Sequence, residues 1–331
     1  MTTATPDLDP QTPPTPEDVL AARQFIASCY PRTPLRPLHE AALANGRELY
    51  LKCEDEAEIK SFKGRGALWR LACLGERNAR NGVITASTGN HGQGVAYAAS
   101  RVGVRSVVVV PAGCSPLKMD RIRGFGAELR VSGADIGEAS QAAREAALAE
   151  NLVYVEDGED PELMAGAATV GWEILEDLPT AQAIVVPVGG GNLIAGVALA
   201  AKRLKPSITI IGVQSEAAPA VVRSWELKRL VEMPCATFAG GLATPFPGKL
   251  AFQVIQELVD EMYLVSEAEL RAEIRHALDT RATLIEGAAA APFAALRRYG
   301  SDWPTRTVLI QSGANLALAE LEWVLSGEAE G

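Results

Sequence analysis

Residues 183–204 read AIVVPVGGGNLIAGVALAAKRL, and ITIIGVQSE follows at 208–216. The stretch opens on an apolar run rich in β-branched residues, the pattern of a strand covered on both faces. Three glycines and Asn192 interrupt it, and an apolar segment of helix length starts at once. Strand, glycine turn, helix and second strand make a βαβ unit, whose strands lie parallel. Glycine lets the backbone come close to a bound group, and free N–H groups at a helix start attract an anion. A phosphate is the natural guest at Gly189, Gly190, Gly191 and Asn192. The order is neither G-x-x-x-x-G-K-[ST] nor G-x-G-x-x-G, because position 194 is Ile, so a nucleotide P-loop is not supported. A tight turn without a ligand remains the alternative at this point.

The same alternation runs outward in both directions. Strands are expected at 46–54, 82–87, 105–111, 127–133 and 307–313. Helices are expected from Phe62 with Ser61 as cap, after TGNHG, at 116–126, after Gly133, at 164–178, around 267–283, over GAAAAPFAAL and over NLALAELEWVL. Repeated strand–turn–helix units argue for parallel sheets covered by helices on both faces, with ligands at the C-terminal ends of the strands. A chain of 331 residues suits two compact domains.

Composition narrows the function. The net charge is −10, and no run of Lys/Arg offers a nucleic-acid footprint. No stretch of 18 apolar residues suggests a membrane span. The Pro/Thr-rich start has neither the basic n-region nor the apolar core of a secretory signal, and reads as a flexible arm over 1–13. Five scattered cysteines (29, 53, 73, 114 and 235) form no C-x-x-C pair, and only three histidines occur. A disulfide framework or zinc site is therefore not indicated, the cysteines read as small buried apolar residues, and a cytoplasmic setting fits.

Four segments carry candidate chemistry: SFKGRGA (61–67), ASTGNHGQ (86–93), PVGGGNLIAG (187–196) and QSGAN (311–315). Each is expected to lie at the end of a predicted strand and to open a helix. Lys63 stands at a helix start among Ser61, Phe62, Gly64 and Gly66. Apolar neighbours and a positive helix end favour its neutral amine, which can form a Schiff base with an aldehyde.

Together these segments resemble the fold-type II pyridoxal-phosphate enzymes, and among them the serine/threonine dehydratases (threonine ammonia-lyase and serine racemase group). The resemblance runs from RTPL (32–35) to SGAN. It implies an α/β fold like that of the tryptophan synthase β chain, with two open, mostly parallel-sheet domains: a small one inserted at 82–158, a large one from 14–81 plus 159–331, and pyridoxal 5′-phosphate between them. It implies that Lys63 carries the cofactor and later removes the substrate's Cα proton. Phe62 would pack beside the ring, and Asn90 would bond its 3′-oxygen. Gly189, Gly190, Gly191 and Asn192 would hold the phosphate, Ser312 would face the pyridine nitrogen, and Glu286 would lie near the ring. Ser87, Thr88, Gly89, Asn90 and His91 would bind the substrate carboxylate, with His91 shaping the loop rather than acting as base. A homodimer is implied as well.

The implied reaction converts a β-hydroxy-α-amino acid, L-threonine or L-serine, to a 2-oxo acid and ammonia. Thr88 stands where related racemases carry Ser and many dehydratases Ala, so dehydration is expected to dominate over racemisation. Ala167, Ala168, Gly287 and Asn192 depart from the family pattern and suggest a reshaped pocket, which brings in a bulkier substrate such as a phenylserine. Lys60 is expected to point to solvent. Glu216 matches one ligand of a family cation site, but Val222 stands where an acidic ligand is expected, so no metal is assigned. No C-terminal regulatory domain is expected. Racemisation, β-replacement on the same fold and a non-catalytic small-ligand-binding protein are the competing readings.

Overall fold

The computed structural model describes residues 12–40, 46–78 and 80–326. Of the arm expected at 1–13, residues 1–11 lie outside the described residues. Two sheets organise the rest. The larger has six strands in the order β1 (Leu35–Pro37), β2 (Glu48–Cys53), β10 (Arg306–Gln311), β7 (Ala183–Pro187), β8 (Thr209–Ser215) and β9 (Glu261–Val265). Only the pairing of β1 with β2 is antiparallel among these. The smaller sheet has four parallel strands in the order β5 (Glu128–Val131), β4 (Ser106–Val110), β3 (Val83–Ala86) and β6 (Val153–Tyr154). The chain is thus mixed α/β with mostly parallel sheets, as its strand–helix alternation predicts.

The apolar runs explain which strands are central. Every residue of β4 and β7 is buried, which a strand with helices on both faces requires. One side of the large sheet packs a core from α10 (Glu267–Arg281) and α11 (Gly287–Tyr299). The other packs α6 (Pro161–Asp177), α7 (Asn192–Leu204) and α9 (Lys249–Leu258).

Helix α6 is held between α7 and α2 (Lys63–Asn78) by glycines. A methyl added at Gly166 would lie 2.5 Å from Gly66 Cα, and one at Gly196 would lie 2.7 Å from Ala168 N. Ala167 and Ala168 are fully buried in these contacts. Their small size serves close helix packing, which gives no support to the expectation of a reshaped pocket. Gly287 is likewise packed: a methyl there would lie 2.6 Å from Ala239 Cβ.

Several elements carried too little signal to be read. Helix α1 (Pro16–Cys29) begins with a Thr15/Asp18 capping box just past the arm expected over 1–13, but no helix is expected there from the sequence. Helix α8 (Ala220–Leu227), α9 and β9 lie in a Pro-interrupted stretch with no long apolar run. Ser61 does not cap a helix. Its backbone bridges to Gly313, its hydroxyl is buried without a partner, and α2 begins at Lys63.

Candidate active site

The site forms where strand ends of both sheets face each other. The chain past β10 is stitched to the segment before α2: Phe62 N donates to Ser312 O (3.2 Å) and Ala314 N to Lys60 O (2.9 Å). This places Ser312 beside Lys63 in the backbone framework although 249 positions separate them in the chain. Lys63 is the first residue of α2, and its Nζ lies 5.2 Å from the Phe62 ring centroid. Lys60, at φ 57°, is exposed.

Behind Lys63, Arg65 is fully buried. Its guanidinium donates to Glu54 (Nε, 2.8 Å) and Glu173 (Nη1, 2.7 Å) and to the Thr33 and Thr169 hydroxyls. Lys52 Nζ completes the group on Glu173 at 2.5 Å. Two cations and two carboxylates neutralise one another there, as buried charges must.

Opposite, α3 (Asn90–Val102) starts at Asn90 without a side-chain cap. Asn90 Nδ2 donates to both oxygens of Glu286, at 2.9 and 3.0 Å. Asn315 joins the group by donating from Nδ2 to Asn90 Oδ1 (2.7 Å) and Ile59 O (2.8 Å), and from its backbone N to Glu286 (3.2 Å). Arg121 of the small-sheet half donates to Asn315 Oδ1 at 3.0 Å. Burial pushes the Glu286 carboxyl above its ordinary value, and the amide donors only partly offset this. A cavity of about 620 Å³ lined by Lys60, Gln93, Arg121 and Asn315, among others, adjoins this cluster.

The substrate-loop candidates Ser87, Thr88 and Gly89 are half-buried at the end of β3, and Gly89 N donates to Ser87 Oγ (3.2 Å). His91 is buried, with Nε2 3.2 Å from Val155 O, so its ring is tied to the residue that follows β6. Desolvation holds its imidazole below the ordinary value.

The glycine turn lies after β7. A methyl on Gly189 would lie 2.4 Å from Gly241 O, whereas one on Gly190 would meet nothing within 4 Å. Gly191 has φ +103° and caps α7 with no side chain, a conformation that L residues avoid. Asn192 is buried with Oδ1 unpartnered.

Two groups were missed by sequence reasoning. Asn315 belongs to QSGAN but had no role, because nothing local shows what it reaches. Asp157 gave no signal at all. Its Oδ1 lies 2.5 Å from Lys63 Nζ and 4.0 Å from His91 Nδ1. Desolvation would raise this carboxyl, but Lys63 and then His91 outweigh it and hold it at about 2.

Other candidates fall away. Glu216 is paired with Arg298 at 3.1 Å, Val222 is buried, and no group of three or more metal-ligating side chains occurs among the described residues. These residues do not fit a cation. Cys53 and Cys114 are buried, but Cys73 and Cys235 are exposed, contrary to the expectation of uniformly buried thiols. Desolvation nonetheless raises the Cys73 thiol to about 11, which leaves it a poor nucleophile at neutral pH. No helix among the described residues is long and apolar enough to cross a membrane.

Comparison with known proteins identifies the family. The family model described as "Pyridoxal-phosphate dependent enzyme" matches residues 26–313. An L-threonine ammonia-lyase of Geobacter sulfurreducens is 39% identical over 296 residues, 89% of this chain and 74% of that protein. The processed form of threonine deaminase isoform 2 from Solanum lycopersicum superposes with a TM-score of 0.88 at 32% identity, covering 97% of this chain and 96% of the other. Maize serine racemase gives 0.87 at 28% identity, with 93% and 95% covered.

The residues present fit the cofactor these relatives imply. Ser312 Oγ and Asn192 Oδ1 are buried and unpartnered, an arrangement that costs free energy unless a ligand completes it. Gly190 is open where a phosphate would approach the start of α7. The chain therefore belongs to the pyridoxal-phosphate-dependent enzymes of fold type II, in the serine/threonine dehydratase group, and is a lyase that uses pyridoxal phosphate.

Proposed function

We propose that this enzyme is an ammonia-lyase acting on L-threonine or L-serine, releasing a 2-oxo acid and ammonia. One observation carries the reading: residues far apart in the chain are gathered at the strand ends, Ser312 beside Lys63 through the bond from Phe62 N to Ser312 O, and Asn90 on Glu286 directly. Pyridoxal phosphate, when bound, supplies an aldehyde for the amine and a conjugated ring that takes up an electron pair from Cα.

The chain's own groups do the rest. Lys63 would hold the cofactor through its amine, and as a free amine would accept the Cα proton at Nζ. The turn at Gly189–Asn192 binds the phosphate through backbone N–H groups. Asn90, oriented by Glu286 and Asn315, donates to the ring's oxygen. Ser312 offers the ring nitrogen a neutral hydroxyl. Ser87, Thr88 and the N-terminal amides of α3 hold the substrate carboxylate.

The close packing of Ala167, Ala168 and Gly287 removes the argument for an enlarged pocket, so threonine and serine are favoured over a phenylserine. We assign the small domain to 82–158 and the large one to 14–81 plus 159–331, with a homodimer in the cytoplasm as the working assembly. Racemisation is the second reading, kept because Thr88 retains a hydroxyl, with dehydration expected to dominate.

The test is turnover of a panel of β-hydroxy amino acids, phenylserine included, by the cofactor-loaded enzyme, with chiral analysis of the remaining substrate. Threonine and serine should give oxo acid faster than the D-isomer. Lys63→Ala should lose the visible cofactor band and about 10²–10⁴-fold or more of the rate. A D-isomer formed faster than oxo acid would establish the racemase reading. Products that incorporate an added nucleophile would establish β-replacement.

A further inference from the structure

Neither the reaction described above nor the family resemblance uses Asp157. It sits on the segment between β6 and α6, and both its oxygens lie 2.5 Å from Lys63 Nζ. Its side chain is 42% exposed while that of Lys63 is 17% exposed, so the carboxylate lies on the open side of a largely covered amine. The other carboxylates nearby are engaged elsewhere. Glu54 and Glu173 bind Arg65, Glu286 binds Asn90 and Asn315, and Glu156 binds Arg144. His91 Nδ1, from α3, is the second group facing Asp157. A cation at the first residue of a helix meets the positive end of the helix dipole, so an opposing anion has a physical task there.

We propose that Asp157 is a further reaction-site residue, whose negative charge holds the nitrogen of Lys63 in its cationic form between turnovers and disfavours amino acids that carry a second carboxylate. This deepens, and rests on, the ammonia-lyase reading. The same atom, Lys63 Nζ, must reach the Cα proton, so substituents on the β-carbon come within a few bond lengths of Asp157. Like charges at that range repel one another, even beside water. Asp157 stays ionised through the working pH range, since Lys63 and His91 both favour its anion.

The experiment uses holoenzyme. The visible cofactor band of wild type and Asp157→Asn is titrated from about pH 5 to 10, and kcat/KM is compared for threonine and 3-hydroxyaspartate. The expected result is a fall of about one pH unit or more in the midpoint at which the band changes form, equivalent to about tenfold in the protonation equilibrium. The kcat/KM ratio of 3-hydroxyaspartate to threonine should rise by about tenfold. Where the wild-type band does not change over this range, the appearance of a midpoint in Asp157→Asn counts as the shift. Asp157→Glu, which keeps the charge, should behave like wild type, and Asp157→Ser like the Asn variant, which covers an Asn variant that fails to hold cofactor. Superimposable titrations, or an unchanged substrate ratio, would overturn the assignment. A wild-type protein without any visible band would instead overturn the ammonia-lyase reading and this one with it.

Discussion

Ser312 shows what a single side chain contributes. Its hydroxyl is buried and has no partner within the chain. A neutral hydroxyl facing the ring nitrogen would leave that nitrogen unprotonated, weakening the electron sink and favouring prompt loss of the β-hydroxyl. Ser312→Asp should therefore lower oxo-acid release and raise side reactions such as transamination, measured by product analysis under single-turnover conditions. His91 makes a different prediction. Its imidazole is buried and held below its ordinary value by desolvation. The folded state thus binds fewer protons than the unfolded one between the two pKa values, so the stability from this residue is present above about pH 6.5 and is lost as the pH falls through the folded value. Urea unfolding at pH 7.5 and 5.5 should show a larger acid loss for wild type than for His91→Gln. Glu286 and Asn90 were legible from their motifs, whereas Asn315 and Asp157 were not. Asn315 gains its place from Ile59 and Asn90, and Asp157 from Lys63, and no spacing rule links such positions.

At the scale of elements, α2 presents Lys63 because the helix is anchored two residues further in. Arg65 binds Glu54 after β2 and Glu173 on α6, so the first turn of α2 is tied to the large sheet and to its neighbouring helix at once. Arg65→Met would leave the buried Glu54 carboxylate with the Thr33 hydroxyl but no cation, and Glu173 with Lys52 alone, a loss of about 3–5 kcal/mol. Denaturant unfolding should show that loss, and cofactor binding should weaken with it. Helix α7 was readable at once because its glycine turn and apolar face sit in one contiguous stretch. The packing of α2 against α6 was not. Gly66 and Gly166 are 100 positions apart, and only the folded chain brings the first within 2.5 Å of a methyl on the second.

Considered whole, the molecule places its site where two sheets meet, with Arg121 reaching across to Asn315 and Asn90 to Glu286. Cofactor binding should lock these contacts. Its removal should lower stability by about 2.7 kcal/mol relative to a solution at a hundred times the dissociation constant, seen as a fall in Tm that added pyridoxal phosphate reverses. From the sequence alone, the parallel α/β plan, the order of most strands and helices and the four motif segments could be determined, because apolar periodicity and glycine turns are local properties of the chain. The tertiary structure alone decided that Ala167, Ala168 and Gly287 serve packing, that Asn315 completes the Asn90–Glu286 group, and that Asp157 faces Lys63. Those facts depend on contacts between distant segments, and the energy that selects them comes from burial and charge pairing that exist only once the chain has folded.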